Sequence, residues 1–467
     1  MDDIALGEEK LGQIGPILAG YSGNQGDPGL HSEPSIEESR PWKKAGHKRT
    51  GRHRHRGGVP DGTTRHVSGK LRRPSIDPVD GAGFALVGGR AAWLYRALRE
   101  RRRSLRVLLV HERYRQRGGE DATVDAEAAL LAGAGIDVVP MIEDNRRIVG
   151  NGSAALALRT VWSAESRRAV ARMIATHRPD VVHVHNTFPL LSPSIYGAAR
   201  AHGVPVVQTL HNYRFLCPNA LLLRDGAPCE RCLGRVVKWP GVAHACFRGS
   251  RGASAAVAAM AGVHRLLGTW RRSVDLFLAL TPFAERLFVA GGLPAGRLAV
   301  CPPVVTDPGA GPAAAGTPRA GALFVGRLSP EKGLETLIEA WRGVDRPLDV
   351  IGEGPLADDL MARAPAHVRF LGPQPPDAVS AAMARAELLV FPSLCYENFP
   401  LVVAEAMAHG LPVLASSGRA VGDIVEDGVT GTFARPGDAA DWRDRAAELL
   451  AQPDRLRAMG AAGRATY

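Results

Sequence analysis

The chain of 467 residues is 45% hydrophobic and 22% charged, which is the composition of a soluble globular protein with two or three domains. Six cysteines are too few for a disulfide-stabilised scaffold, and no apolar run is long enough to span a membrane. The first residues also lack the basic and apolar regions of a signal peptide, so we expect a cytoplasmic protein.

The net charge of +11 lies mainly in the first quarter of the chain. Residues 1–106 contain 20 Lys and Arg and 12 Asp and Glu, which gives a net charge of +8. Because the stretch 41–58 is basic and nearly free of apolar residues, we predict that 1–104 is a basic, largely disordered extension. No nucleic-acid partner is expected, since aromatic residues are not interleaved with these charges.

The segment 89–106 predicts a basic helix with Trp93, Leu94, Ala97 and Leu98 along one side. One interpretation is a helix that lies on an anionic membrane surface, which would place the protein at the inner face of the membrane. The alternative is a lead-in helix that packs on the protein and exposes its arginines to solvent.

From Arg106 onward, short apolar runs alternate with helical patterns, which predicts a doubly wound parallel sheet in a first domain over 105–305. The predicted strands are 107–111, 136–141, 181–186, 204–212, 275–281 and 298–305. The predicted helices are 122–134, 165–177, 192–202, 253–268 and 281–293.

A Gly- and Pro-rich linker at 306–321 precedes a second α/β domain over 322–467. Its clearest elements are a strand, turn and helix at 322–341, a strand at 388–392, a helix at 400–409 and a strand at 412–416. Two helices are predicted after Arg435. The sequence thus predicts two Rossmann-like, doubly wound domains.

Charged residues follow the strands of the second domain, where open α/β sheets bind ligands. Arg327 and Lys332 follow one strand, and Glu397 and Asn398 stand in a loop that enters a helix N-terminus, a favourable anion site. Glu405 lies in the middle of that apolar helix. A phosphate site flanked by two carboxylates that accept sugar hydroxyls describes a nucleotide-sugar pocket. The alternative for Glu405 is a structural carboxylate that pairs with an Arg or caps a backbone.

In the first domain, Gly118 and Gly119 would let the backbone approach a phosphate or sugar closely, although tight turns need glycine anyway. Three histidines stand at strand ends. His211 is the best site candidate, whereas His183 and His185 share one strand face and either serve structure or line a cleft.

A cysteine-containing insertion at 213–250 interrupts the alternation. Cys217, Cys229, Cys232 and Cys246 contain one C-x2-C pair, the usual half of a zinc site. Three interpretations stay open for these residues: a structural zinc site, free thiols, and a disulfide or redox pair.

Arg327, Lys332 and the spacing Glu397-x7-Glu405 resemble the motifs of the retaining GT-B glycosyltransferases of family 4, the group 1 glycosyl transferases. The match extends over most of 105–467, and the combination of motifs is specific. The resemblance implies the GT-B fold, in which two Rossmann-like domains face a cleft, with an acceptor domain first and a nucleotide-sugar donor domain second.

The resemblance also implies roles for individual residues. Arg327 and Lys332 hold the donor diphosphate, Glu397 and His211 contact the donor sugar, and Glu405 holds the nucleotide ribose. The implied catalytic residues are Arg327, Lys332, Glu397 and His211. The implied donor-binding residues are Glu405, Asn398, Phe399, Leu401, Val402, Gly118 and Gly119.

The sequence departs from the family pattern at three positions. Asn398 stands where a Gly is common, and Arg419 and Asp423 stand where Gly and Glu are frequent. These changes remove no charge that the mechanism needs, but they could alter donor preference. The helix with which GT-B enzymes commonly return to the first domain is expected to be short or missing, because the sequence stops at Tyr467.

The resulting prediction is a metal-independent hexosyltransferase, since no D-x-D triplet follows a strand to bind a metal–diphosphate. No cofactor is expected for catalysis. The expected partners are a nucleotide sugar and a sugar or lipid-linked acceptor in glycan, polysaccharide or glycolipid assembly. The alternatives are a nucleotide-sugar epimerase or phosphorylase with a similar cleft, and a nucleotide-sugar-binding protein without turnover.

Overall fold

The computed structural model describes residues 104–148, 154–309, 319–418 and 420–467, which all fall within the unit Ile76–Tyr467. The predicted extension 1–104 and the predicted basic helix 89–106 lie outside these ranges except for their last residues. Arg419 and most of the predicted linker 306–321 also lie outside them.

The strands of the first domain are β1 (Arg106–Arg113), β2 (Asp137–Asp144), β3 (Val181–Val184), β4 (Val206–Leu210), β5 (Leu223–Arg224), β6 (Ala227–Pro228), β7 (Leu276–Ala279) and β8 (Leu298–Val300). Six of them form one parallel sheet in the order β2-β1-β3-β4-β7-β8, and β5 pairs with β6 in a separate antiparallel hairpin. The helices are α1 (Gly119–Gly133), α2 (Ala154–Val161), α3 (Ala164–His177), α4 (Ser194–Ala201), α5 (Trp239–Ala243), α6 (Arg251–Leu266), α7 (Thr269–Ser273) and α8 (Pro282–Ala290).

The second domain contains a parallel six-stranded sheet in the order β11-β10-β9-β12-β13-β14. Its strands are β9 (Ala322–Val325), β10 (Leu348–Ile351), β11 (Val368–Gly372), β12 (Leu388–Phe391), β13 (Val413–Ser416) and β14 (Gly431–Ala434). Its helices are α9 (Leu334–Trp341), α10 (Ala357–Arg363), α11 (Pro376–Arg385), α12 (Leu401–Ala408), α13 (Ala439–Leu450) and α14 (Pro453–Thr466). The predicted fold class, two doubly wound parallel-sheet domains, is confirmed.

Both faces of the second sheet are buried, which explains why its strands are continuous apolar runs. Phe324 packs in a cluster with Trp341 and Trp442, whereas its neighbour Leu323 packs in a different cluster with Val403. Successive strand residues point to opposite faces, so the two clusters lie on the two sides of the sheet. Helices cover both faces of the sheet, so a ligand can reach the sheet only at the ends of the strands.

The structure corrects several predicted boundaries. The helix predicted at 122–134 begins at Gly119, because Asp121 accepts a hydrogen bond from the backbone nitrogen of Gly118 (3.1 Å) and closes the first turn. The helix predicted from Pro400 begins one residue later, with Pro400 as its N-cap. Helix α2 is not predicted by the sequence.

The last helix, α14, contacts the segment that joins the two domains. Arg464 forms an ion pair with Asp307 (2.8 Å), and the Tyr467 hydroxyl donates to the carbonyl of Val305 (2.8 Å). Among the described helices, none has the length and apolar character needed to cross a membrane.

Gly352, just after β10, is required by both its backbone angle and its surroundings. Its φ is +140°, and an added Cβ would meet the Gly326 carbonyl oxygen at 1.9 Å. We expect Gly352→Ala to destabilise the protein by about 3 kcal/mol or more. The energetic cost of the strained backbone and the cost of the steric clash with the Gly326 carbonyl are added together. Gly372→Ala is the matched control, since that glycine has a φ of +66° but no atom within 4 Å of an added Cβ. Its cost should be only about 1–2 kcal/mol. Equal melting temperatures of the two variants would contradict this account.

Candidate functional site

A cleft opens where the strands of both sheets end. Its walls carry residues that follow β1 and β4 in the first domain and residues that follow β9, β10, β11 and β12 in the second. Its volume is about 3840 Å³ when the open mouth is included, which leaves room for more than one substrate.

All the residues predicted for the site line this single cleft, although they come from both domains. They are Gly118, Gly119, His211, Arg327, Lys332, Glu397, Asn398, Phe399, Leu401, Val402 and Glu405. The roles that the resemblance implies for them stay predictions.

A largely buried ion pair lies in the second domain's wall of the cleft. Lys332 ends a short 3₁₀ helix after β9, and its Nζ donates to Glu397 Oε1 at 2.7 Å. The Ser393 hydroxyl donates to the same oxygen (2.6 Å), and the Cys395 thiol lies 3.7 Å from it. Glu397 Oε2 has no hydrogen-bond partner among the described residues.

The electrostatics of the pair keep both partners charged. Burial alone would raise the pKa of Glu397, but the Lys332 ammonium and the hydrogen bonds from Lys332, Ser393 and Cys395 outweigh it and hold this pKa below its ordinary value. Burial likewise opposes the charge of Lys332, and the adjacent carboxylate raises its pKa above the ordinary value nonetheless.

Arg327 differs from Lys332 in its environment. Its side chain is exposed in the cleft and forms no hydrogen bond or ion pair within the described ranges. The guanidinium can therefore engage an anion without first leaving a protein partner.

Glu405 lies half-buried on α12, and no side chain or backbone nitrogen in the described ranges donates to its carboxylate. Burial raises its pKa. Neither an Arg partner nor a capped backbone group is found for Glu405 within the described ranges. An unpaired carboxylate on a cleft wall is available to accept ligand hydroxyls.

His211 reaches the cleft from the end of β4. A hydrogen bond of 2.8 Å joins its Nε2 to His185 Nδ1. Burial, together with the neighbouring histidines His111 and His183, lowers the pKa of His211 to about 3. The imidazole is therefore neutral at physiological pH and can serve as a hydrogen-bond donor or acceptor, but not as a positive charge.

The two glycines differ in what they allow. An added Cβ on Gly118 would meet no atom within 4 Å, whereas one on Gly119 would meet Leu401 Cδ1 of the other domain at 3.0 Å. Gly118 thus leaves open space on the cleft wall, and Gly119 permits the close approach of α1 to α12.

Sequence reasoning missed a polar group on the first domain's wall of the cleft. Glu120 Oε2 accepts from the Tyr114 hydroxyl (2.9 Å) and the Asn212 amide (3.3 Å), while its buried Oε1 has no partner in the described part of the chain. Arg214 lies nearby on the same wall and packs 4.0 Å above the Phe188 ring. The sequence could have indicated this group, because Glu120 and Arg214 are charged residues in the segments that follow β1 and β4. In those segments, only the glycines and His211 were predicted as site residues.

The loop before α12 is fixed to the first domain by hydrogen bonds. The Tyr213 hydroxyl donates to the Glu397 carbonyl (3.1 Å), and the Asn398 amide donates to the Leu210 carbonyl. Asp423 accepts from the backbone nitrogen of Phe283 at the start of α8 (2.5 Å). Two of the positions that depart from the family pattern, Asn398 and Asp423, are thus interdomain contacts.

The cysteine insertion contains no disulfide, since Cys217, Cys229, Cys232 and Cys246 are all free. Within the described ranges, no three of these sulfur atoms lie within 4.8 Å of one another. Burial raises the pKa of Cys232 to about 11, which keeps this thiol protonated. Structural zinc at these cysteines stays a prediction.

Glu120 gives a testable pH dependence. Burial raises its pKa to about 7, so the folded state holds this proton more tightly than the unfolded state does. The resulting stabilisation is fully present below about pH 4.5 and is lost as the pH rises through 7, with a magnitude of at most about 3 kcal/mol. Glu120→Gln should therefore reduce the fall in melting temperature between pH 5 and pH 8. Glu339→Gln, at an exposed position, should retain the wild-type fall, and an unchanged profile in Glu120→Gln would contradict the assignment.

Comparison with known families identifies a domain of known type on each sheet. Residues 87–303 match the model of the glycosyl transferase 4-like domain, and residues 315–466 match that of the glycosyl transferases group 1. The chain is 37% identical over 154 residues to the D-inositol 3-phosphate glycosyltransferase of Nocardia farcinica, which covers 29% of this chain and 34% of the relative. It is also 37% identical over 152 residues to the phosphatidyl-myo-inositol mannosyltransferase of Mycobacterium leprae, covering 30% and 40%. The chain thus matches well under half of the length of these relatives.

Solved structures share the fold at low sequence identity. The sucrose-phosphate synthase of Thermosynechococcus elongatus has a TM-score of 0.57 and 19% identity, over 78% of this chain and 94% of its own. The Anabaena protein HepE, in complex with UDP and glucose, has a TM-score of 0.54 and 17% identity, over 77% and 94%. The two family domains are matched in chain order and the solved structures share the fold, and together these matches support a GT-B glycosyltransferase of the family 4-like type.

Proposed function

We propose that this protein is a retaining glycosyltransferase that moves a sugar from a nucleotide-diphosphate sugar to an acceptor hydroxyl. The observation that carries the proposal is one cleft in which Arg327 and Glu405, neither of them paired with any described residue, accompany the Lys332–Glu397 ion pair. These are the groups that a diphosphate, a ribose and a sugar require.

The charges of the cleft favour an anionic donor. Its lining contains more cations than carboxylates, namely Arg115, Arg117, Arg214, Arg248, Arg327 and Lys332 against Glu120, Glu353, Glu397 and Glu405. A nucleotide diphosphate gains negative charge as its bond to the sugar breaks, so a surplus of positive charge stabilises the transition state more than the ground state.

Arg327 and Lys332 are proposed to bind the departing diphosphate. Arg327 has all its donors available, and the Lys332 ammonium uses one of its three N–H groups on Glu397, which leaves two for phosphate oxygens. The N-terminus of α12 adds backbone N–H groups on the same wall.

The two carboxylates are proposed to hold hydroxyl groups. Glu397 stays ionised, and its unpaired Oε2 can accept a hydroxyl of the donor sugar while Lys332 and Ser393 fix Oε1. Glu405 is proposed to accept two hydroxyls of the nucleotide ribose. Phe399, Leu401 and Val402 would supply the apolar wall beside them.

The reaction is proposed to proceed with retention and without a catalytic metal. The acceptor hydroxyl forms its bond to the anomeric carbon on the face from which the diphosphate departs. The hydroxyl proton passes to the leaving phosphate oxygen, which lies on that same face. Neutral His211 and the Glu120 group of the first domain would position the sugar and the acceptor.

The relatives support a role in glycolipid or glycan assembly. Two of them are named for transfer to inositol 3-phosphate and phosphatidyl-myo-inositol. HepE, which shares the fold, is known in complex with UDP and glucose. We therefore propose a hydroxyl of a polyol, sugar or lipid-linked sugar as the acceptor of this protein.

The direct test is the release of nucleotide diphosphate from a panel of nucleotide sugars with and without acceptor. Release that needs the acceptor, with the anomeric configuration of the product unchanged by NMR, is the expected result. Conversion of the donor without acceptor would favour the epimerase alternative, and binding without turnover would favour a binding protein.

Arg327→Ala should lower turnover by about 100-fold or more, because it removes a cation that acts mainly in the transition state. The matched control is Arg342→Ala, since Arg342 pairs with Glu339 (3.0 Å) on an exposed surface. The control should keep wild-type turnover. Turnover of Arg327→Ala within twofold of wild type, with an unchanged melting temperature, would exclude the role of Arg327.

Glu405→Gln should weaken donor binding by roughly 10- to 150-fold, the effect of losing hydrogen bonds to a charged group worth about 1.5–3 kcal/mol. Calorimetric titration with the nucleotide sugar measures this change. Glu448→Gln is the control, because Glu448 pairs with Arg455 on an exposed helix face (2.8 Å). Donor affinity that is equal in the two variants would contradict the ribose assignment.

A further inference from the structure

Three potential metal ligands converge beneath the first domain's wall of the cleft, and none of them lines the cleft itself. Glu127, His183 and His185 each offer a ligand atom, and these atoms lie within 4.8 Å of one another. In the described part of the chain, this is the one group of three or more such residues that converge in this way.

Two secondary structure elements bring the group together. His183 lies on β3 and His185 follows it two residues later, so both rings point to the same side, with centroids 4.3 Å apart. Glu127 lies on α1, which packs over that side of the sheet. Because both elements belong to the rigid α/β framework, the three side chains are preorganised.

The separations between these ligand atoms are close to the separations expected around a bound metal ion. Glu127 Oε1 lies 2.9 Å from His183 Nδ1, and Glu127 Oε2 lies 3.9 Å from His185 Nε2. Ligand atoms bonded at about 2.0–2.1 Å in a tetrahedral site stand roughly 3.4 Å apart. The two observed separations bracket this value, so a small rotation of the carboxylate would complete the arrangement.

The His185 ring provides an independent indication of a missing ligand. His185 is 3% exposed, and its buried Nε2 has no hydrogen-bond partner among the residues that the structure describes. Such an orphan nitrogen is costly in a protein interior. No lysine or arginine in the described ranges pairs with Glu127, so its negative charge also faces only the two imidazoles.

The other nitrogens of both rings already have the partners that metal-binding histidines need. His183 Nε2 is hydrogen-bonded to the Thr209 hydroxyl (2.8 Å), and His185 Nδ1 is hydrogen-bonded to His211 Nε2 (2.8 Å). Bonds of this kind fix the ring orientation and leave the opposite nitrogen free for an ion.

We propose that Glu127, His183 and His185 bind a zinc ion through the carboxylate, His183 Nδ1 and His185 Nε2. Two imidazoles and one carboxylate form a set that zinc prefers, with water in the fourth position. The ion would satisfy the orphan nitrogen of His185 and neutralise the charge of Glu127.

Zinc at this site would also set the tautomer of a cleft residue. With its Nε2 on the ion, neutral His185 carries its proton on Nδ1 and donates it to His211 Nε2. His211 must then carry its own proton on Nδ1. His185 is thus a positioning residue for His211, and the zinc acts on the cleft through a hydrogen bond without contacting the donor.

The test uses the full chain and zinc chloride. Protein purified without added chelator should contain about one equivalent of zinc by mass spectrometry of the metal. After removal of the metal, chelator competition should show that Glu127→Gln weakens zinc binding by more than 100-fold. Thr209→Val should weaken it by about 10- to 100-fold, because it removes only the partner of His183. Asp125→Asn on the same helix, which loses only contacts to Arg113 and Arg117, should bind zinc like the wild type.

Cobalt substitution separates this site from the cysteines. The visible spectrum of the cobalt-loaded protein should show nitrogen and oxygen ligands without thiolate charge-transfer bands, and it should persist in Cys217→Ser/Cys232→Ser. Protein that retains no zinc and binds none, or zinc affinity unchanged by Glu127→Gln in a variant with a wild-type melting temperature, would overturn the proposal. Thiolate bands that vanish with the cysteine substitutions would overturn it as well.

Discussion

The ion pair between Lys332 and Glu397 is the interaction on which the cleft depends. It joins the turn after β9 to the loop after β12. Strands β9 and β12 are neighbours in the second sheet. Burying such a pair is costly, and the hydrogen bond from Ser393 to Glu397 Oε1 offsets part of this cost. Loss of either partner would leave an uncompensated charge in the wall and would displace the loop that carries the other cleft residues.

The same loop is hydrogen-bonded to the first domain, so it also holds the two walls of the cleft together. The Glu397 carbonyl accepts from Tyr213, and Asn398 donates to the end of β4, next to His211. A sugar held by Glu397 would therefore lie beside residues of the first domain without a large domain movement. A glycine at position 398 could not form the bond to Leu210, and the domains would then be held by fewer contacts. The departure at Asn398 thus adds one hydrogen bond between the two domains.

The sequence predicted the fold, and the residues it placed at strand ends line one cleft, because both follow from local patterns. Apolar runs and helical periodicity define parallel α/β domains, and the carboxyl ends of parallel strands must meet at one edge, which brings Arg327, Lys332 and Glu397 together. Contacts between distant elements could not be predicted in this way. The approach of Glu127 to His183 depends on how α1 rotates over the sheet, and the partners of Glu120 come from two strand ends. Helix α2 was missed because its eight residues, AALALRTV, are too few to distinguish a helical pattern from any other short apolar run.

If the proposed interior site is occupied, the histidines would let it influence the cleft without altering the proposed diphosphate site. Burial makes a protonated imidazole unfavourable at both His185 and His211, so neither would compete with Arg327 for the negative charge of the proposed donor. What remains variable is the position of one proton along the hydrogen bond between them. A hydrogen bond that strengthens in the transition state depends on that position, since only one tautomer presents a donor from Nδ1. The cations and the histidines are thus suited to separate tasks. The cations would stabilise negative charge, and the histidines would determine from which ring nitrogen a hydrogen bond is donated.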